Sequence, residues 1–196
     1  MEANPKGLSM RIIAGEHRGR RLVAPEGQVT RPTADRTRQA LFNVLDHAAW
    51  APGLVGARVI DLFAGSGALG LEVLSRGGAQ ALFIDANAIA THAISRNVAA
   101  LRLESRASVL QTDAARLGTP SAEPFDIAFL DPPYARGLCE PALECLARGG
   151  WLAPRALAVV ERGVGEPEPK ALGFEPVESR AWGVARVWFL RLVEAA

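Results

Sequence analysis

The stretch ARVIDLFAGSGALGLE, from Ala57 to Glu72, decides the fold of this 196-residue chain. It begins as a short apolar strand pattern and continues into three glycines, Gly65, Gly67 and Gly70, in G-x-G-x-x-G spacing. Glycines permit a tight turn and let a ligand approach the backbone, and the first N–H groups of the following helix point at that ligand. A strand, a glycine turn and a helix in this order predict the ligand-binding turn of an open α/β sheet.

Strand and helix patterns alternate through the rest of the chain. Predicted strands cover residues 57–63, 80–85, 107–113, 125–131, 156–162 and 184–192, with a weaker strand at 170–179. Helical patterns cover residues 67–77, 90–103 and 138–150. This alternation predicts an α/β, Rossmann-like fold with a mostly parallel sheet. The short link AWG before the last strand permits an antiparallel hairpin there.

The chain ahead of this sheet has a different pattern. Two apolar runs, Arg11–Ala14 and Arg21–Ala24, flank a polar link that contains glycine, and together they predict a β-hairpin. Pro32 then begins a predicted helix, which Thr30 or Thr33 can cap. Seven arginines and three acidic residues lie between positions 11 and 38, and arginine is suited to bidentate phosphate contact.

Composition sets the broad class. Apolar residues make up 49% of the chain, which allows a buried core, and the net charge is +1. Cys139 and Cys145 fall in one predicted helix without neighbouring His or Cys, so we expect no metal site. The apolar runs are too short to span a bilayer, and the cysteines form no disulfide framework, so we expect a cytoplasmic protein.

We divide the chain into an N-terminal extension, residues 1–50, and a main domain, residues 51–196.

Acidic residues close to the glycine turn indicate its ligand. Asp61 stands four residues before the first glycine, where it would repel a pyrophosphate and attract a cationic amino-acid group. S-adenosylmethionine carries a sulfonium, an ammonium and a carboxylate but no phosphate. Asp85 ends the second strand and can accept hydrogen bonds from ribose hydroxyls, as it would in a dehydrogenase too. Asp113 ends the third strand and can accept from an adenine amino group, with the N–H of Ala114 nearby.

Asp131, Pro132, Pro133 and Tyr134 follow the fourth predicted strand and form the candidate catalytic group. The prolines fix the backbone and lack N–H groups, so the Asp131 carboxylate and the Pro132 carbonyl stand as paired acceptors. Two acceptors suit the two hydrogens of an exocyclic base amine, and they favour the positive charge that grows on nitrogen during methyl transfer. Tyr134 offers a flat face on which an extruded base can stack. The predicted cofactor site comprises Asp61, Phe63, Ala64, Gly65, Ser66, Gly67, Asp85, Ala86, Asp113, Ala114 and Asp131.

Two parts of the sequence resemble known methyltransferases. DLFAGSGALGLE followed by FLDPPY is similar to class I S-adenosylmethionine-dependent enzymes that act on amino groups. The runs at residues 11–22 and 31–43 resemble the RsmD family, bacterial enzymes that methylate guanine N2 in small-subunit (16S) ribosomal RNA. Gln39 stands where that family usually has Glu, although an amide can still accept a hydrogen bond. The resemblance extends from residue 11 to near residue 192.

The resemblance implies a seven-stranded sheet with an antiparallel last strand and a small N-terminal extension that helps to hold RNA. It implies S-adenosylmethionine as methyl donor, S-adenosylhomocysteine as product, and 16S rRNA within an assembled or assembling small subunit as partner. We expect a monomer that does not bind membranes. The residues expected to contact RNA are Arg11, His17, Arg18, Arg20, Arg21, Arg31 and Arg36.

Three alternatives remain open at the level of sequence. An N6-adenine methyltransferase acting on DNA or RNA would share the Asp-Pro-Pro-Tyr turn. An NAD-dependent oxidoreductase would use the glycines and Asp85 but gives no role to Asp61 or to the turn at 131–134. A catalytically silent RNA-binding module would keep the arginines and would not need the glycine turn.

Overall fold

The computed structural model of the protein describes residues 10–26, 32–121, 123–133 and 136–193. Its helices and strands, in chain order, are α1 (Pro32–His47), β1 (Arg58–Leu62), α2 (Ala68–Ser75), β2 (Gln80–Asp85), α3 (Ala88–Leu101), β3 (Ala107–Gln111), β4 (Phe125–Leu130), α4 (Cys139–Arg148), β5 (Leu152–Gly163), β6 (Phe174–Trp182) and β7 (Ala185–Leu192). None of the helices within these ranges has the length and apolar character needed to cross a membrane.

The seven strands form one sheet in the order β3-β2-β1-β4-β5-β7-β6. The first five strands are parallel, and β7 runs antiparallel to both of its neighbours. Because β1 and β4 lie side by side, the direction of winding reverses between them. Open α/β sheets bind ligands at this point, outside the carboxyl ends of the strands. The predicted fold class and the antiparallel last strand are confirmed.

Two hydrophobic layers cover the faces of the sheet. Helices α1, α2 and α3 pack on one face, where Phe42 and Ile94 are fully buried. Helix α4 packs on the other face through Leu143. Strand β1 serves both layers because its side chains alternate, so that Val59 faces the first and Ile60 the second. This double cover explains why the central strands read as continuous apolar runs.

Strand β5 is longer than its apolar pattern predicts. It begins at Leu152, whereas the apolar run begins at residue 156. Phe125 of β4 pairs with Leu152 and Ile127 pairs with Leu157, so two steps along β4 correspond to five along β5. Arg155 lies within this bulge with a left-handed φ of 62°. A bulge interrupts the alternation of apolar side chains, and the sequence pattern therefore misses the start of the strand.

The N-terminal hairpin forms a single antiparallel bridge, between Arg11 and Arg21, rather than two strands. The N–H groups of Ile13 and Ala14 donate to the carboxylate of Glu72 in α2, at 2.7 and 2.9 Å. The N–H of Ala14 is thus taken by α2, and the N–H groups of residues 18 and 20 donate to carbonyls within the turn, so the hydrogen-bond ladder between the two arms ends after one bridge. The predicted reversal of the chain is present, and the predicted pair of strands is not.

Helix α1 begins at Pro32, as the sequence predicts. Thr33 is the second residue of this helix and therefore cannot be its N-cap, and Thr30 lies outside the described residues. Leu41 and Leu45 of α1 join the same buried cluster as Ile12 of the hairpin and the core of the sheet. The N-terminal extension is thus packed into the core of the main domain.

Candidate active site

The glycine turn joins β1 to α2 at the switch point of the sheet. Gly65 and Gly67 have left-handed φ values of 56° and 76°, and Gly67 is the N-cap of α2. Phe63, just ahead of them, also has a positive φ, of 58°, which is uncommon for a residue with a side chain. Gly70 allows α2 to approach β2, since a Cβ there would lie 2.4 Å from the ring of Phe83. The turn therefore places the start of α2, with its first N–H groups, at the carboxyl edge of the sheet.

Asp61 lies beneath this turn rather than on its surface. Its side chain is 2% exposed, and its Oδ2 accepts the N–H of Gly70 at 2.9 Å. Burial raises the pKa of Asp61 to about 7, the hydrogen bond from Gly70 lowers it, and the nearby Asp85 raises it. One role of Asp61, which the sequence did not indicate, is to hold the glycine turn against the start of α2.

Asp85 accepts hydrogen bonds from two neighbouring loops at the carboxyl edge of the sheet, the glycine turn and the loop before α3. Its Oδ2 accepts the N–H of Gly65 at 2.9 Å, and its Oδ1 accepts the N–H of Asn87 at 2.9 Å. Asn87 in turn caps α3, with its Oδ1 accepting from Ile89. A carboxylate has about four acceptor positions, so Asp85 can still accept from two hydroxyl groups of a ligand. Ala86 beside it is exposed.

Asp113 stands two residues beyond the end of β3, which finishes at Gln111 and not at Asp113 as its pattern predicts. Its Oδ1 accepts the N–H of Ala115 at 2.9 Å, and Arg116 lies 3.9 Å from its Oδ2. Ala114 is buried. Asp113 is therefore in a turn at the expected edge of the sheet, and it is exposed there.

Asp131 follows the last residue of β4 and faces the same edge. Leu130 pairs with Val160 of β5, so Asp131 and Glu161 are the next residues of two neighbouring parallel strands. Loss of water around its carboxyl group, and then the charges of Glu161 and Asp61, raise the pKa of Asp131. Asp131 is nevertheless exposed, and contact with solvent limits this effect. Pro132 after it is buried and Pro133 is exposed, whereas Tyr134 lies outside the described residues.

The edge of the sheet gathers three acidic side chains. Within the described parts of the chain, Asp61, Asp85 and Asp131 form no ion pair with an Arg, Lys or His. Loss of hydration is the main cause of the raised pKa values of Asp61 and Asp131, and the charges of neighbouring carboxylates raise them further. Such a site favours a ligand that brings positive charge, and it disfavours a pyrophosphate.

A cavity of about 710 Å³ lies elsewhere, at the amino-terminal end of β5. It is lined by the end of α4, the bulge of β5 and the end of β7, and includes Arg148, Arg155 and Arg191. Residues of the candidate site are at the opposite edge of the sheet. The cavity is therefore separate from the proposed chemistry.

Most of the arginines expected to contact RNA are exposed. This holds for Arg11, Arg18, Arg20, Arg21 and Arg36, whereas Arg31 lies outside the described residues. The side chain of His17 is only 16% exposed, which disfavours it as an RNA contact. The turn at residues 15–19 contacts Ser75, the last residue of α2, through the N–H groups of residues 16 and 17. The glycine turn is at the start of α2 and Ser75 is at its end, about 12 Å away. The exposed arginines near the turn at residues 15–19 therefore lie away from the glycine turn.

Two buried polar residues were missed by the sequence analysis. Glu72 is fully buried in α2, where it accepts from the hairpin and from Nε of Arg76 at 2.9 Å. Asn97 is 2% exposed in α3 and contacts both Val23 and Ser66. A charged or amide side chain on an otherwise apolar helix face was the available signal in both cases, since buried polar groups need partners.

The sequence is similar to a known family and to bacterial proteins of that family. A family described as Conserved hypothetical protein 95 matches residues 10–191. The chain is 43% identical over 155 residues to Ribosomal RNA small subunit methyltransferase D of Escherichia coli K12, covering 79% of this chain and 75% of the relative. The protein of the same name from Haemophilus influenzae is 38% identical over 167 residues, covering 84% of this chain and 83% of the relative.

Solved structures agree with the sequence matches. The putative methyltransferase yhhF from Escherichia coli superposes with a TM-score of 0.78 and 36% identity, covering 95% of this chain and 99% of that one. A magnesium protoporphyrin IX methyltransferase from Synechocystis, solved with bound S-adenosylmethionine, has a TM-score of 0.60 and 16% identity, over 81% of this chain and 79% of that one, and shares the fold. With its fold, its glycine turn and its matched length, this chain belongs to the RsmD family of S-adenosylmethionine-dependent methyltransferases.

Proposed function

We propose that this protein transfers a methyl group from S-adenosylmethionine to the exocyclic N2 amine of a guanine in small-subunit (16S) ribosomal RNA. The observation that carries the proposal is the position of Asp131, Pro132 and Pro133. They follow β4 directly beside β1, whose end carries the glycine turn. An amine held by this turn would therefore lie next to a cofactor held by the glycines.

The residues at the edge of the sheet fit the cofactor, which supplies an electrophilic methyl group on a sulfonium. Asp61 and the glycine turn would face its cationic amino-acid part, and Asp85 would accept from its ribose hydroxyls. Asp113 and Ala114 would contact the adenine. Phe63, Ala64, Ser66 and Ala86 complete the predicted site. The unpaired acidic charge supports a cationic ligand over NAD.

Asp131 and the carbonyl of Pro132 would accept the two hydrogens of the amine and orient its nitrogen. The amine nitrogen would gain positive charge as it accepts the methyl group, with the thioether of the cofactor as leaving group. The raised pKa of Asp131 suits its carboxylate to stabilise that charge and to accept the proton that leaves. Tyr134 would stack on the base.

Three observations support the choice of substrate. Relatives at 43% and 38% identity are named as small-subunit rRNA methyltransferases. Exposed arginines of the N-terminal extension can contact phosphates, so we assign residues 1–50 to RNA contact. The runs at residues 11–22 and 31–43 resemble enzymes that act on guanine N2. A small extension offers limited sequence readout, which favours an assembled or assembling subunit as substrate. We further propose that the enzyme is a monomer and acts in the cytoplasm.

An assay of the product nucleoside tests this proposal against N6-adenine methylation. Small ribosomal subunits from cells that lack the protein are incubated with purified protein and methyl-labelled S-adenosylmethionine, digested to nucleosides and separated. We expect label in N2-methylguanosine. Label in N6-methyladenosine would favour the alternative, and no transfer to either subunits or naked 16S rRNA would contradict methyltransferase activity on this substrate.

A further inference from the structure

One buried side chain joins the N-terminal extension to the glycine turn. The Oδ1 of Asn97 accepts the N–H of Val23 at 2.7 Å. Its Nδ2 donates to the carbonyl of Val23 and to the carbonyl of Ser66, both at 2.9 Å. Ser66 is the central residue of the turn between Gly65 and Gly67. Asn97 thus holds the backbone of both segments at once.

A second contact links the same two segments. The hydroxyl of Ser66 donates to the Sδ of Met10 at 2.9 Å. Met10 and Leu22 are also joined by a backbone hydrogen bond of 2.8 Å, so both arms of the hairpin end close to the glycine turn. Ser66 is buried at 6% exposure, and water cannot readily replace these partners.

A separate set of contacts fixes the hairpin to α2 away from the turn. Glu72 accepts from Ile13 and Ala14. The hydroxyl of Ser75 donates to the carbonyl of Ala14 at 2.6 Å and accepts from the N–H of His17 at 3.0 Å. These contacts hold the hairpin without touching the turn. The link through Asn97 is therefore not required merely to keep the hairpin docked.

We propose that Asn97 is a positioning residue that couples RNA binding by the N-terminal extension to cofactor binding by the glycine turn. The inference rests on the function proposed above. Displacement of either segment would leave buried donors and acceptors of Asn97 without partners, so the two segments share one favoured arrangement. A ligand that orders one segment then lowers the cost of ordering the other, and the effect is equal in both directions.

The test compares the affinity for small ribosomal subunits, taken from cells that lack the protein, with and without saturating S-adenosylhomocysteine. We expect the wild-type protein to bind subunits about tenfold more tightly when that ligand is present, within the usual range of such coupling. Asn97→Ala is expected to reduce the ratio to near one. Ser75→Ala, which removes two hydrogen bonds between the hairpin and α2 but none to the turn, is the matched control and should retain the ratio.

Equal ratios in wild type and Asn97→Ala would overturn the proposal, as would equal loss of coupling in Ser75→Ala. Met10→Leu provides a second variant if Asn97→Ala does not fold, because it removes the sulfur acceptor of Ser66 while nearly conserving volume. It should lower the ratio at least about twofold, and an unchanged ratio would count against coupling. A wild-type protein that binds both ligands with no coupling overturns this inference alone, whereas one that binds neither contradicts the proposed function itself.

Discussion

At the scale of single residues, carboxylates at the ends of β1, β2 and β4 define the site. Asp61 and Asp85 each accept backbone N–H groups of the glycine turn, so they shape the binding surface as well as charging it. Asp131 has no such structural partner among the described residues and is exposed at the same edge. We therefore expect Asp61 and Asp85 to affect cofactor binding and Asp131 to affect turnover.

Asp131→Ala is expected to lower kcat by about 10²- to 10³-fold, the usual loss when a group that stabilises transition-state charge is removed. Its affinity for S-adenosylhomocysteine should change by less than about tenfold, because Asp61, Asp85 and the glycine turn remain. Single-turnover kinetics and calorimetry measure the two quantities. Asp126→Ala, at the opposite end of β4 where Asp126 accepts from the N–H of Arg58, is the control and should keep its turnover. A near-normal rate for Asp131→Ala would show that Asp131 does not orient the amine.

The affinity for S-adenosylmethionine is expected to rise between pH 6 and pH 8. The pKa of Asp61 is about 7 in the free protein and that of Asp131 is raised, and a cationic ligand lowers both by favouring the charged carboxylates. Binding therefore releases protons, which strengthens it as the pH rises, by up to about tenfold per pH unit for each linked proton. Calorimetry across this range gives the slope.

Asp61→Asn is the matched variant for this dependence, since an amide oxygen can still accept the N–H of Gly70. The slope should become shallower, and a slope identical to that of the wild type would show that Asp61 does not sense the ligand. In the free protein the raised pKa of Asp61 also predicts that stability falls as the pH rises from about 4, its unfolded value, to about 7.

At the scale of elements, the site depends on how closely α2 packs against the sheet. Gly70 lies in the first turn of α2 against Phe83 of β2, and we propose that the N–H groups at the start of the same helix face the cofactor. Packing and ligand binding are therefore linked through one glycine.

Gly70→Ala is expected to destabilise the protein by about 1–3 kcal/mol, because the new methyl group would lie 2.4 Å from the Phe83 ring and force it to move. Displacement of α2 should also weaken cofactor binding. Urea unfolding and calorimetry check the two effects. Gly165→Ala, at a position with no heavy atom within 4 Å of the added Cβ, should alter neither. Wild-type stability in Gly70→Ala would mean that α2 is not held at this distance.

The apolar pattern predicted the elements of the sheet well, because a parallel sheet covered on both faces needs continuous apolar runs. It was wrong where a bulge or hydrogen bonds, and not apolar burial, determine the local structure. The start of β5 is hidden by a bulge at Arg155. The hairpin has one bridge because the N–H of Ala14 donates to Glu72 and the N–H groups of residues 18 and 20 donate within the turn. Asn97 could not be assigned a partner from sequence, since Val23 and Ser66 reach it only through tertiary packing.

At the scale of the whole molecule, we propose that the carboxyl edge of the sheet binds the cofactor and that the arginines of the N-terminal extension bind RNA. The extension follows α2 from the glycine turn towards Ser75 and presents Arg18, Arg20 and Arg21 to solvent. Phosphate contacts of this kind position a nucleic acid without reading its sequence. We therefore expect specificity for one nucleotide to arise at the proposed site at the end of β4.

Replacing Arg18, Arg20 and Arg21 together with glutamine should weaken binding to 16S rRNA and flatten its salt dependence. The slope of log K against log salt should become less steep by about 2, since each lost phosphate contact accounts for about 0.7 on single-stranded RNA. Filter binding over a range of salt concentrations measures it. Arg148→Gln combined with Arg180→Gln removes exposed arginines outside the extension and should leave the slope unchanged. An unchanged slope in the triple variant would identify its arginines as a solvated surface only.

Mass mapping of 16S rRNA from cells that lack this protein tests the central claim most directly. We expect one methyl group to be missing from a guanine N2. Expression of the wild-type chain should restore it, and Asp131→Ala should not. A complete set of guanine N2 methyl groups in the deletion strain, or a loss confined to adenine N6, would contradict the account.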